Sequence, residues 1–88
     1  MKVWKFAIPI KDYFKIEMPQ NAEILSFGVQ RNVPCIWVLV KEEFPNVVRK
    51  FRLCGTGHKI TEDREQLGFI GTAITHEDAL VWHLFEIY

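Results

Sequence analysis

No stretch of this sequence approaches the roughly 20 consecutive apolar residues that span a bilayer. No secretory leader is expected either, because residues 1–11 reach Lys5 and Lys11 without a long apolar core or a small-residue cleavage site. Cysteine is scarce: Cys35 and Cys54 are too few for a disulfide scaffold, so reduced thiols in a cytoplasm are expected. Net charge is absent, since 11 basic side chains cancel 11 acidic ones. That removes the global electrostatic case for binding DNA, RNA or an anionic membrane surface. Helical periodicity, internal repeats, linkers and low-complexity tracts are all missing. What is left is a small strand-forming protein.

The 88 residues are expected to make one domain, 1–88, running as a complete short product from Met1 to the strand residue Tyr88. Apolar residues make up 49% and aromatics 14%, which argues for a real core and against disorder. The surplus of Trp and Phe leaves material for a sticky surface, so a homo-oligomer is expected.

Period-two alternation dominates, the pattern of strands with one buried face. Residues 3–10 put Trp4, Phe6, Ile8 and Ile10 on one side, and residues 12–18 do the same with Phe14, Ile16 and Met18. Pro19-Gln20-Asn21 forces a turn. Residues 23–30 would bury Leu25, Phe27 and Val29, with a bend or bulge at Gly28. Arg31-Asn32 fits a tight hairpin. Residues 35–40 are apolar on both faces, which marks a central strand or one covered by another subunit. Residues 47–54 alternate again, after a break at Phe44-Pro45-Asn46. Residues 55–66 read as a loop, with room for one helical turn capped by Thr61. A weaker strand over 67–75, a turn at His76-Glu77-Asp78 and a last strand over 79–87 complete the chain. About seven antiparallel strands on short loops predict an all-β sandwich or small barrel.

Six ordered blocks carry a resemblance. They are Val3-Trp4-Lys5-Phe6, Met18-Pro19, Pro34-Cys35-Ile36-Trp37, Gly55-Thr56-Gly57-His58, Ile70-Gly71-Thr72 and Trp82-His83-Leu84-Phe85-Glu86. Together they resemble a family of short proteins of bacteriophages and prophages that carries only a domain-of-unknown-function label. Arg31-Asn32 stands where that family usually has Asn-Gly ahead of its Val-Pro-Cys block, which changes the turn chemistry but not the strand register. The resemblance implies a phage origin and the cytoplasm of an infected bacterium. It implies no reaction, and no catalytic residues come with it.

The segment with most chemistry is Gly55-Thr56-Gly57-His58, which ends the strand bearing Arg49, Lys50 and Arg52. Paired glycines let amide N–H groups turn toward an anion, with a hydroxyl and an imidazole beside them. The plainer reading is a wide turn with His58 bonded to its own backbone. A Walker motif is excluded, because neither its Lys nor its helix follows. Lys50 and Arg52 share a strand face and Arg49 points the other way, on the side of Phe51; the ordinary outcome is a solvated charged face.

The histidines His58, His76 and His83 and the two cysteines show no paired zinc-ligand spacing, so no metal and no cofactor are expected. His83 reads as a satisfied core or interface imidazole. A small hydrolase would have only Cys54, His58 and Thr56 to work with. The favoured expectation is a non-catalytic binding protein with an anti-defence role. It would sequester a small anionic, nucleotide-like signal in an oligomer pocket built from Gly55, Thr56, Gly57, His58, Arg49, Lys50 and Arg52, with Trp37 as a stacking ring. The alternative is an inhibitor or accessory factor acting on a host protein.

Overall fold

The structure is a computed structural model and describes residues 1–77 and 79–88. Its seven strands are β1 (Lys2–Ala7), β2 (Tyr13–Pro19), β3 (Glu23–Gln30), β4 (Val33–Val40), β5 (Asn46–Gly55), β6 (Leu67–Thr75) and β7 (Leu80–Ile87). They form two antiparallel sheets, a three-stranded one in the order β1-β4-β3 and a four-stranded one in the order β2-β5-β7-β6. The molecule measures 39 × 32 × 16 Å, the thin slab expected when two sheets pack about 10 Å apart. It is the all-β sandwich that the alternation predicts. No helix of the described residues is long and apolar enough to cross a membrane.

The core lies where inward residues of the two sheets meet: Ile36, Val38 and Val40 of β4 against Met18, Phe51, Leu53 and Leu84. Each of these is at most 2% exposed. Trp4, Phe6, Phe14 and Ile16 pack around them. Phe14 stacks on Phe51 with ring centroids 5.3 Å apart. β4 is the centre of its sheet: its inward residues fill the core, while Trp37 and Leu39 on its outer face are half-buried. Strand β3 lies against β6, so the sheets close together along that side.

Several expectations need correction. β1 ends at Ala7, and Ile10 is 57% exposed instead of extending the buried face. On β3 the inward residues are Ile24 and Phe27, which meet Val38 and Ile36. The pairing register shifts between Ile24 and Ser26, so Leu25 is carried outward to 48% exposure, and Val29 at the strand end reaches 37%. A bulge moves every later side chain to the other face. Gly28, by contrast, keeps its register opposite Cys35. Among the described residues the one helical turn is the 3-10 turn Arg64–Gln66, begun by Asp63 and not Thr61. There the Gln66 amide donates to the Asp63 carbonyl at 2.9 Å, and the Asp63 amide donates to Gln66 Oε1 at 3.1 Å.

Left-handed φ values mark the turns. Asn21 has φ 65°, Arg31 and Asn32 have 51° and 63°, and His76 and Glu77 have 53° and 54°. Two consecutive left-handed residues suit the right-handed twist of a hairpin, so Arg31-Asn32 forms the tight turn between β3 and β4. Asp78 of the His76-Glu77-Asp78 turn lies outside the described residues. The two turns also hold each other. Asn32 Nδ2 donates to His76 Nδ1 at 2.9 Å, and the His76 amide donates to Asn32 Oδ1 at 2.6 Å.

Residues 56–66 are not a free loop. They run as a strap across the outer face of the four-stranded sheet, where Arg52 Nη2 donates to the Lys59 carbonyl at 3.1 Å and Tyr13 Oη donates to Glu62 Oε2 at 2.5 Å. Beneath the strap, outward-pointing Arg52 and Cys54 are only 5% and 3% exposed.

Candidate functional site at the Gly55–His58 turn

β5 ends in a turn closed by the His58 amide donating to the Gly55 carbonyl at 3.1 Å. Gly57 takes φ 88°, a value that only glycine adopts without steric cost. The His58 ring folds back over the strand end, where its Nδ1 accepts the Gly55 amide at 3.2 Å. A Cβ on residue 55 would stand 2.9 Å from His58 Cε1, so glycine is required there by the ring above it. This turn binds its own backbone in the manner of the plainer reading. The Gly55 and His58 amides are engaged inside it.

Thr56 faces the sheet. Its Oγ1 lies 2.7 Å from His83 Nε2, while His83 Nδ1 lies 3.0 Å from Thr72 Oγ1. A hydroxyl both donates and accepts, so either imidazole tautomer is satisfied between the two threonines. In strand register, Cys54 of β5, His83 of β7 and Thr72 of β6 form one row across three strands. Burial pushes the Cys54 thiol up from its ordinary value, with the Arg52 charge acting the other way. No hydrogen bond joins Cys54 to His58 among the described residues. The partner of the turn is therefore His83, which the sequence presents as a core or interface residue.

A cavity of about 220 Å³ opens beside the turn, walled by Gly55, Thr56 and His58 on one side and by Leu80, Val81 and Trp82 on the other. Trp82 is fixed by its indole N–H, which donates to Thr75 Oγ1 at 3.0 Å. Single-chain pockets for drug-sized ligands span about 300–1,000 Å³. One copy of this chain falls short of enclosing a nucleotide at that position.

The other expected site residues are dispersed. Arg49 points between the sheets, where its Nε and Nη2 donate to Glu86 Oε2 and Oε1 at 2.7 and 2.6 Å and its Nη1 donates to the Ala22 carbonyl at 2.6 Å. The Glu86 carboxylate beside it raises its pKa further. Arg52 lies under the strap, donating to the carbonyls of Leu53 at 2.5 Å and Lys59 at 3.1 Å. The carboxylates of Glu62 and Asp12 stand 3.6 and 3.7 Å from it, and the Tyr13 ring centroid is 5.0 Å away. Neither guanidinium sits on the solvated face expected for these charges. Lys50 is exposed and faces solvent on the outer side of β5. Trp37 pairs with Lys5 and Ser26 on the outer face of the other sheet, so a single chain does not bring it to the turn.

Among the described residues no group of three or more His, Cys, Asp and Glu side chains is placed to hold a metal ion. Residues 1–88 match the family described as domain of unknown function (DUF7352), and the chain belongs to it. No curated protein and no solved structure matches the chain.

Proposed function

We propose that this member of the family is a non-catalytic binding protein that captures a small anionic, nucleotide-like ligand in a pocket completed by a second copy of the chain. The carrying observation is the cavity of about 220 Å³ at the Gly55–His58 turn. It presents the Thr56 hydroxyl, the His58 ring and Trp82, and it is too small to enclose such a ligand alone. Gly57 and Thr56 form the exposed tip, and His83 holds Thr56 in place. In an assembly, the Trp37 face of one copy would supply a second ring opposite Trp82 at the turn of the other. The bacteriophage affiliation that the sequence blocks imply supports a reading in which the protein acts in the cytoplasm of an infected bacterium. There, equilibrium capture of a nucleotide signal would blunt a defence response.

The test is native mass spectrometry with thermal melting under a panel of mono-, di- and cyclic nucleotides. Ligand in about 100-fold excess over Kd stabilises the folded state by about 2.7 kcal/mol. The expected result is a raised melting temperature, an even number of copies, and ligand recovered unaltered after denaturation. A monomer that no nucleotide stabilises would end the reading, and a chemically altered ligand would replace it with catalysis.

A second reading, an inhibitor that docks on a host protein, is favoured by the open outer face of the three-stranded sheet. There Val3 is 54% exposed opposite half-buried Leu39, next to Trp37. That reading predicts a co-purifying polypeptide and no response to nucleotides.

A further inference from the structure

Lys15 and Lys50 stand directly opposite each other across the β2–β5 pairing, and Lys50 faces Ile87 on its other side. Phe14 and Phe51 point into the core, so alternation puts both lysines on the outer face of the four-stranded sheet. Directly opposed residues have Cβ atoms about 4.5–5.5 Å apart, and like charges at that spacing destabilise a sheet.

Among the described residues three cations are matched by acids: Lys2 with Glu42, Arg49 with Glu86, and Arg52 with Asp12 and Glu62. What distinguishes Lys15 and Lys50 from the other unpaired ones is that they face each other in register. Neither Lys15 nor Lys50 takes part in an ion pair among the described residues. Glu17, the nearest acid along β2 on the same face, stands opposite Val48 instead of Lys50. A groove of about 320 Å³ opens at the pair, lined by Tyr13, Phe14, Lys15, Lys50, Phe51 and Ile87, with no carboxylate in its wall. Its volume falls within the range of small-molecule sites. Tyr13 is held in place at its hydroxyl by Glu62 and over its ring by Arg52, so one wall is fixed before any ligand arrives.

We infer that this groove is a binding site for a small phosphate-bearing ligand with a planar ring. Both ammonium groups hold the phosphate, and the ring lies along Ile87 and the Tyr13 side chain. A dianionic phosphate turns the repulsion between the lysines into a shared attraction, and charge-assisted hydrogen bonds are the strong kind. The inference rests on the proposed function for the class of ligand alone, and it assigns the phosphate to residues away from the Gly55–His58 turn. It also explains an arrangement that the fold by itself would select against.

The test is titration of the isotope-labelled full chain with adenosine monophosphate and with inorganic phosphate, followed by amide chemical shifts and calorimetry. Shifts are expected at Tyr13, Lys15, Lys50 and Ile87 with the nucleotide, and at the two lysines with phosphate. Lys15→Gln with Lys50→Gln is expected to weaken nucleotide binding about tenfold or more. The same variant should melt at or above the wild-type temperature, since it removes a repulsion, so lost binding would not reflect unfolding. Thr56→Val with His58→Gln should leave binding at the groove unchanged. Full binding by the lysine variant, with loss in the turn variant, overturns this inference and leaves the proposed function standing. A wild-type chain that binds neither probe overturns this inference, and the proposed function falls with it only when the whole nucleotide panel also fails to bind.

Discussion

Arg49 and Glu86 meet side by side on the inner face of adjacent strands, because Phe51, two residues after Arg49, is the register partner of Glu86. Their bidentate contact is partly buried, with the two side chains 21% and 9% exposed in the wall of a cavity of about 410 Å³. Such a pair adds little over well-packed apolar residues, yet removing one partner leaves the other charged and stranded. Glu86→Gln should therefore destabilise the fold by about 1–3 kcal/mol in urea unfolding, less than a fully buried pair costs because water reaches the guanidinium. Arg49→Met with Glu86→Leu should recover most of that loss. If the double variant were as unstable as the single one, the pair would be contributing specific geometry beyond charge balance.

The strands themselves were readable from their alternating side chains, because a half-buried strand must repeat with period two. Their order in space was not. Nothing local says that β7 lies between β5 and β6, so the row Cys54, His83, Thr72 and the contact of His83 with Thr56 had no signature in the sequence. The outward turn of Leu25 was hidden for a similar reason, since a bulge appears only when one strand is counted against its partner. The strap has no signature of its own because its polar composition, Thr61 to Glu65, resembles a solvated loop. Its Lys59 carbonyl instead accepts from the buried Arg52, with the Glu62 carboxylate 3.6 Å away.

Turns show the same limit and offer a test at this scale. Asn32 and Glu77 both take left-handed φ, so glycine at either relieves backbone strain. Only Asn32 also bonds the opposite turn, at His76. Glu77→Gly is expected to raise stability by up to about 1 kcal/mol. Asn32→Gly is expected to lower it by about the same amount, through loss of two hydrogen bonds. Equal signs for the two variants in thermal melts would mean that the clasp between hairpins contributes nothing.

At the scale of the whole molecule, the two outer faces differ: the strap covers part of the four-stranded sheet, while among the described residues the three-stranded sheet has no such cover. That asymmetry is why Cys54, on an outward position, is buried, and why its thiol titrates above the ordinary value of 9.0 through loss of water contact. The linkage has a definite sign. The folded state holds the Cys54 proton more tightly than the unfolded chain does, so its contribution to stability is fully present below the ordinary thiol value. It is lost as pH climbs through the raised one. Unfolding free energy measured in urea should consequently decline across that alkaline window. Cys54→Ala should flatten the decline while lowering stability at neutral pH for want of packed volume. Were the wild-type and variant curves to run parallel above pH 9.0, the thiol would not be desolvated and the strap would not be closed over it.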